Sequence, residues 1–183
     1  MDITEQKNNY QNLKDFFLEA NRDFMERNYV LLDTELSERC LCGALMHELN
    51  KQLEKKDCNN YYADVKFNRN KKRIKQLHND DGFVSNILPD IIVHSRGKEI
   101  PDNLLVLEMK KSSANQQDKE NDRNRLKKMT KQNCTESHHS YEYLLGIYYE
   151  VDFGKKQIFI ELYQDEEIVE ENTLSYEDIT KRS

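Results

Sequence analysis

Two apolar segments, ILPDIIVH (87–94) and NLLVLEMK (103–110), each carry an acidic residue inside a run of strand-forming side chains. The turn-rich sequence SRGKEIPD separates them, and antiparallel neighbours in a sheet can be joined by a connection this short. Because side chains alternate between the two faces of a strand, Glu108 and Lys110 share one face, about 7 Å apart, and the apolar residues beside them occupy the other. The pattern therefore predicts two paired strands with an acid and a lysine on a shared face.

The rest of the chain predicts helices on either side of further strands. Apolar residues recur at helical spacing in 10–27 and from about Ser37 to Glu54, where Thr34 or Ser37 is available as the N-cap. Period-two alternation predicts a strand over 61–69, and the polar stretch 70–86 is typical of a loop. Further predicted elements are a charged helix over 115–132, strands over 143–151 and 157–163, and a short helix near Tyr176 to Thr180. The expected fold is mixed α/β, a central mixed sheet flanked by helices in the order α-α-β-β-β-α-β-β.

Length and composition favour one globular domain. The chain has 183 residues, of which 34% are charged, and 10 Tyr and 7 Phe supply aromatic side chains for a core. No apolar run approaches the roughly 20 residues that cross a bilayer, and the first ten residues lack the apolar core of a signal peptide. The four cysteines show no metal-ligand spacing. We therefore expect a soluble, cytoplasmic protein with reduced thiols and no membrane partner.

The acids on the two middle strands point to a metal. Asp90 lies eighteen residues before Glu108, a separation that lets an antiparallel pair bring the two carboxylates together. Two carboxylates in a partly buried site repel each other unless a cation neutralises them, and hard oxygen ligands select Mg²⁺ or Mn²⁺. Beside such a metal, Lys110 is placed to orient or deprotonate a water, or to offset charge that develops on a phosphate.

These residues resemble the PD-(D/E)XK nuclease superfamily, which has the restriction-endonuclease-like fold. The motif is intact as Pro89-Asp90 followed by Glu108-Met109-Lys110, with apolar strand residues around each part. The segment SERCLCGALMHEL resembles the preceding helix on which many members carry a further acid, with Ser37-Glu38-Arg39 in the matching place. ADVKFNRN resembles the first core strand, although several relatives have an acid where Lys66 stands, and DKENDRNRLKKMT resembles the helix after the catalytic strand.

The resemblance covers about 36–148 and implies a nuclease core there, preceded by an N-terminal helix (1–30) and followed by a C-terminal strand and acidic tail region (149–183) of the same domain. It implies a Mg²⁺-dependent deoxyribonuclease, an endonuclease that hydrolyses DNA with a metal-activated water and accepts Mn²⁺ as a substitute. The implied metal ligands are Asp90, Glu108, Glu38 and the Met109 carbonyl, and the implied catalytic residues are Asp90, Glu108, Lys110 and Glu38.

Charge is unevenly distributed along the chain. Although the formal net charge is −6, residues 61–75 carry six basic residues against one acid, and residues 109–132 carry eight against three. In a nuclease such stretches contact phosphates. The residues expected to bind nucleic acid, DNA before RNA, are Arg39, Lys71, Lys72, Arg73, Arg123, Arg125, Lys127 and Lys128.

Other interpretations remain open at this point. Glu48 competes with Glu38 for the helix position, but it lies about 80° away from the apolar stripe on which Glu38 falls. The histidines at 47, 94, 138 and 139 fit no zinc motif. A catalytically silent restriction-endonuclease-like subunit of a defence or repair complex is the main alternative function, because the small size and the acidic C-terminal third favour a homodimer or a partner protein.

Overall fold

The computed structural model describes residues 9–67, 69–70, 73–74, 76–78, 84–86, 88–132 and 141–177. Its helices are α1 (Asn9–Arg27), α2 (Tyr29–Asp33), α3 (Glu38–Lys55) and α4 (Gln116–Thr130). Its strands are β1 (Tyr62–Val65), β2 (Arg69–Asn70), β3 (Arg73–Ile74), β4 (Gln76–His78), β5 (Val84–Asn86), β6 (Ile91–His94), β7 (Asn103–Lys111), β8 (Leu145–Asp152), β9 (Gln157–Gln164) and β10 (Glu167–Ser175).

Six of the described strands form one mixed sheet in the order β1-β6-β7-β8-β9-β10. Neighbours are antiparallel except β7 and β8, which are parallel. A parallel pair needs a crossover connection, and α4 lies in the segment between these two strands. The predicted mixed sheet flanked by helices is confirmed.

Helices cover both faces of this sheet. On one face α1 and α3 build the larger apolar core with the inward side chains of the strands, including Leu107 and Met109 of β7. On the other, Leu126 and Met129 of α4 belong to a smaller cluster with Ile92, Val106, Tyr143, Tyr148 and Tyr163. We call this second face the α4 face. The helix packs on β7, β8 and β9, whereas β1 lies at one edge of the sheet.

The close seating of α4 depends on a glycine in β8. A Cβ placed on Gly146 would lie 2.8 Å from Thr130 Cγ2, closer than real Cβ atoms pack, and 3.1 Å from Tyr163 Cβ, which is a tight contact. The absent side chain therefore lets the last turn of α4 approach the sheet, which fixes the height of the whole helix above β7.

The α3 prediction is confirmed in detail. Ser37 is the N-cap, and its side chain accepts a hydrogen bond from the Cys40 backbone N–H. The stripe of leucines at positions 41, 45, 49 and 53 is buried. Ser37 thus fixes the first turn of the helix, where Glu38 stands.

The predicted element order is wrong in three places. A short helix, α2, follows α1, and the stretch expected to be a loop contains the paired strands β2–β3 and β4–β5. Pairs of two or three residues form through backbone hydrogen bonds, which leave no apolar periodicity in the sequence. The third difference is β10, whose acidic sequence EIVEENTLS forms the sheet edge beside β9. Residues 178–183, which include part of the predicted C-terminal helix, lie outside the described residues.

Candidate active site

The register of β6 and β7 places Asp90 beside Glu108. Ile91 pairs with Leu107 in the antiparallel ladder, so the residue before one and the residue after the other are neighbours across the strands. The Met109 backbone N–H donates a hydrogen bond of 2.8 Å to Asp90 Oδ2, which ties this carboxylate to β7. The predicted alternation is confirmed, because Leu107 lies in the larger core while Glu108 contacts a residue of α4.

Both carboxylates are removed from solvent. Asp90 is 5% exposed and Glu108 is 1% exposed. Burial raises the pKa of Glu108 to about 8; the charge of Arg125 opposes this rise, and the charges of Asp90 and Asp122 add to it. A carboxyl with this pKa is protonated at neutral pH, and its ionised form needs a cation in the same place for compensation.

Basic side chains supply that compensation. Lys66 Nζ contacts Asp90 Oδ1, and Arg125 Nε lies 3.0 Å from Glu108 Oε1. Lys110 Nζ lies 2.6 Å from Oδ2 of Asp122, a buried acid of α4. Each acid of the site thus has a cationic neighbour drawn from β7, α4 or the end of β1.

Lys110 stays positively charged in this setting. Burial lowers the pKa of its ammonium, but the hydrogen bond and charge of Asp122 and the charges of Asp90 and Glu38 outweigh that effect, so the pKa is raised. The same ammonium lies 3.4 Å from the Met109 carbonyl oxygen, which accepts a hydrogen bond from it. The Lys110 ammonium can therefore provide positive charge and hydrogen-bond donors on the α4 face, close to the backbone of β7.

Glu38 joins the site from the other layer. At the start of α3, its Oε1 accepts a 3.0 Å hydrogen bond from the Lys111 backbone N–H, directly after Lys110. Glu48, the competing candidate, is buried elsewhere and pairs with Lys51 and Arg27. The structure thus brings Glu38, rather than Glu48, to the end of β7.

The basic residues proposed for nucleic acid are not equivalent. Arg123 and Arg125 turn inward, the first to Glu161 and the second to Glu108 and Asp122. By contrast, Lys127 and Lys128 are partly exposed and Arg39 is exposed. Arg73 lies in β3, whereas Lys71 and Lys72, with His138 and His139, lie outside the described residues.

A second charged group lies beyond the carboxylates, at the β1 edge. Asp64 accepts hydrogen bonds from Arg96 Nε and Nη2 and lies 2.9 Å from His94 Nε2. The Arg96 guanidinium stacks 4.1 Å from the centre of the Tyr62 ring, and Lys98 Nζ donates to the Tyr62 hydroxyl. Tyr62 and Asp64 therefore hold two exposed cations, Arg96 and Lys98, on the same edge as Lys66.

Sequence reasoning did not identify Asp122 or the role of Lys66. Asp122 sits among many charged residues of the helix, and only its burial and its contact with Lys110 distinguish it. Lys66 stands where the resemblance suggests an acid, and its partner lies 24 residues away in the chain. The position of Lys66 in the sheet could have revealed this contact. β1 and β6 are antiparallel neighbours, and Lys66 follows Val65, which pairs with Ile91.

The donor set suits a hard divalent cation in its chemistry, since the carboxylate oxygens of Asp90, Glu108 and Glu38 gather around one strand end. Within the described ranges, however, no three His, Cys, Asp or Glu side chains are arranged to hold a metal ion together. Lys66 and Arg125 stand at the carboxylates instead. Metal binding at these residues therefore requires the carboxylates to exchange ammonium or guanidinium partners for the cation.

Across the described part of the chain, no helix combines the length and apolar character that a bilayer crossing needs. Comparison with protein-family models, with curated proteins and with solved structures finds no match for this chain.

Proposed function

We propose that this protein is a Mg²⁺-dependent nuclease that hydrolyses phosphodiester bonds of DNA on a restriction-endonuclease-like scaffold. The observation that carries the proposal is the position of Asp90 beside Glu108, with Lys110 two residues further along the same strand and on the same face. Two acids and a lysine in this arrangement are what phosphodiester hydrolysis needs from a protein.

The arrangement of the elements supports the same proposal. An acid at the start of α3, the paired strands β6 and β7 and a helix after β7 occur in the order that the resemblance implies. The elements position the residues of the site: α3 begins with Glu38, β6 begins directly after Asp90, and β7 carries Glu108 and Lys110.

Asp90, Glu108 and Glu38 are the residues that would hold the cation, with the Met109 carbonyl as a further oxygen donor. A divalent cation bound there polarises the phosphate and lowers the pKa of a water molecule. The Met109 N–H keeps Asp90 in place for this purpose, and Arg125 fixes the orientation of Glu108.

The contribution of Lys110 follows from its charge. As an ammonium on the α4 face it can donate hydrogen bonds to a phosphate oxygen or to the attacking water, and it offsets the negative charge that develops in the transition state. Asp122 is a positioning residue, because it holds the ammonium at 2.6 Å and restricts the rotamers of a long side chain.

We place the substrate on the α4 face, where Glu108 and Lys110 lie. Lys127 and Lys128 are partly exposed on α4, and Arg96 and Lys98 are exposed beside Tyr62 of β1. These exposed cations can neutralise phosphates of a nucleic acid while the acidic centre engages one of them.

One observation favours the alternative of a catalytically silent binding subunit. The acids of the site already have internal partners, since Lys66 contacts Asp90, Arg125 contacts Glu108, and Asp122 holds Lys110. A scaffold that no longer binds metal would keep such ion pairs to stabilise buried charge.

Nuclease assays decide between the two. Purified protein is incubated with plasmid, linear duplex, single-stranded DNA and RNA, each with Mg²⁺, Mn²⁺ or EDTA. We expect cleavage of DNA that requires the cation and is lost in the Glu108→Gln variant. Binding of nucleic acid without cleavage of any substrate, in either metal, would instead support the silent subunit. Cleavage of RNA in place of DNA would correct the substrate and leave the site assignment intact.

A further inference from the structure

The two oxygens of the Asp90 carboxylate have different partners. Oδ2 accepts the Met109 backbone N–H at 2.8 Å, a contact inside the sheet. Oδ1 has no backbone partner within the described residues and contacts the ammonium of Lys66. A metal ion that reaches Asp90 Oδ1 therefore meets an oxygen that the ammonium of Lys66 already contacts.

The Lys66 side chain can contact Asp90 Oδ1 and can also move away from it into solvent. Its backbone N–H donates to the Asp90 carbonyl at 3.2 Å, so the two residues stay side by side whatever the side chain does. Its side chain is 48% exposed, whereas that of Asp90 is 7% exposed, so the ammonium forms the solvent side of the pair. A long lysine side chain can rotate into water without any change in the sheet.

We propose that Lys66 is a built-in counter-ion that occupies Asp90 in the metal-free protein and competes with the divalent cation for it. The proposal rests on the proposed function, because it takes Asp90 as a metal ligand. Without metal, Lys66 offsets the repulsion among buried carboxylates. When the cation enters, the ammonium has to withdraw, because two positive charges a few ångströms apart in a partly buried site repel each other strongly.

A structural ion pair and a competing counter-ion predict opposite responses to metal. If the lysine only stabilises the fold, removing its charge weakens the protein by the same amount with and without metal. If it competes, its removal destabilises the metal-free protein and at the same time strengthens metal binding, so added metal restores the original stability.

The test compares the wild type with Lys66→Met, which keeps most of the aliphatic stem, and Lys66→Arg, which keeps the charge. Mn²⁺ binding is measured by isothermal titration calorimetry, and thermal unfolding is recorded in EDTA and in rising Mn²⁺. We expect Lys66→Met to bind Mn²⁺ about tenfold more tightly than the wild type. Its melting temperature should be lower in EDTA and should approach or pass that of the wild type as Mn²⁺ rises. Lys66→Arg should bind Mn²⁺ no more tightly than the wild type.

Lys98→Met is the matched control, since Lys98 is an exposed lysine at the same sheet edge whose ammonium contacts Tyr62 instead of Asp90. Its Mn²⁺ affinity should equal that of the wild type.

Mn²⁺ affinity that is unchanged or weaker in Lys66→Met, while Asp90→Asn abolishes binding, overturns the role of Lys66 and leaves the proposed function standing. Absence of Mn²⁺ binding in the wild type and in Lys66→Met overturns the metal site, and with it both proposals. If Lys66→Met does not fold, the decision falls to Lys66→Arg, where tighter Mn²⁺ binding than in the wild type would contradict competition.

Discussion

Lys110 Nζ lies 2.6 Å from Asp122 Oδ2, so the lysine of the central strand is held by an acid of the helix that follows it. The next turn of α4 supplies Arg125, which contacts both Asp122 and Glu108. One helix therefore orients two of the four charged residues of the candidate site, Lys110 and Glu108. We expect the effects of substitutions at these positions to be coupled, because the side chains share one network.

Lys110→Ala should separate an enzyme from a silent scaffold. Loss of a positioned charge-stabilising group slows turnover by roughly 10²–10⁴-fold and leaves substrate affinity nearly unchanged. Cleavage rate and DNA affinity are measured on the same preparation. Lys111→Ala is the control, since Lys111 Nζ lies 5.4 Å from the Phe153 ring and belongs to the opposite face. Equal cleavage by Lys110→Ala and the wild type would refute the proposed mechanism.

The same substitution should lower stability, and a second change should restore it. Without Lys110, Arg125 is the cationic partner left to the buried Asp122 carboxylate among the described residues, and we expect a loss of about 1–3 kcal/mol in the free energy of unfolding. The double variant Lys110→Ala/Asp122→Asn also removes the buried charge that lost its lysine partner and should recover most of that loss, as measured by urea denaturation. Turnover should stay low in the double variant. Recovery of both properties together would mean that the lysine acts through stability alone.

Much of the framework could be predicted because its elements bury regular apolar patterns. The leucine stripe of α3 and the alternation in β7 each specify a buried face, and both predictions are confirmed. The strand pairs β2–β3 and β4–β5 have only two and three residues in each strand, and β10 is a largely exposed edge strand of mixed acidic and apolar residues. Such elements carry no periodic signature, so sequence patterns could not reveal them.

Only the part of the site that follows from the spacing of residues within and between neighbouring strands could be predicted from the sequence. The spacing of Asp90 from Glu108 and the two-residue step to Lys110 follow from strand geometry. Which cation neutralises which acid depends on side chains that meet across elements, such as Lys66 on Asp90 and Arg123 on Glu161. A basic run in the sequence cannot show that Arg123 points inward, because its partner Glu161 lies on β9, 38 residues further along the chain.

Stability of the metal-free protein should depend on Glu108 over a defined pH range. The pKa of this carboxyl is about 8 in the folded protein, against an ordinary value of 4.5. Between these two values the folded state binds more protons than the unfolded state, so stability falls as pH rises, by at most about 1.4 kcal/mol per pH unit. Glu108→Gln should lack this component. In urea denaturation in EDTA, the free energy of unfolding of Glu108→Gln should therefore rise relative to that of the wild type from pH 5 to 8. A difference between the two proteins that stays constant over this range would contradict the burial of the Glu108 carboxyl.

Metal should stabilise the native protein through Asp90. A ligand that binds only the folded state adds about 2.7 kcal/mol at a concentration one hundred times its Kd. We expect Mg²⁺ or Mn²⁺ to raise the melting temperature of the wild type, EDTA to reverse the rise, and Asp90→Asn to remove most of it. Asp64→Asn is the control, because Asp64 is paired with His94 and Arg96. An undiminished shift in Asp90→Asn would place the metal elsewhere in the chain.

The two kinds of basic residue on α4 should behave differently toward DNA. Lys127 and Lys128 are partly exposed, so their joint replacement by Gln should weaken DNA binding at low salt. It should also reduce the slope of log K against log salt by about one unit for each phosphate that the protein no longer neutralises. Fluorescence anisotropy in EDTA, at several NaCl concentrations, measures both quantities without cleavage.

Arg123→Gln is the matched comparison, since its guanidinium is held by the buried carboxylate of Glu161. We expect it to reduce the free energy of unfolding by about 1–3 kcal/mol, because the buried Glu161 carboxylate loses its guanidinium partner and retains the hydrogen bond from the Tyr163 hydroxyl. The salt slope should stay unchanged. The opposite pattern, an altered slope in Arg123→Gln and an unaltered one in the lysine pair, would show that DNA reaches the inner face of the helix. Because net charge falls by one in Arg123→Gln and by two in the lysine pair, Lys55→Gln/Lys56→Gln at the C-terminal end of α3 completes the comparison. It removes the same charge as the lysine pair about 25 Å along α3 from Glu38, so an equal reduction of the slope there would attribute the effect to overall charge.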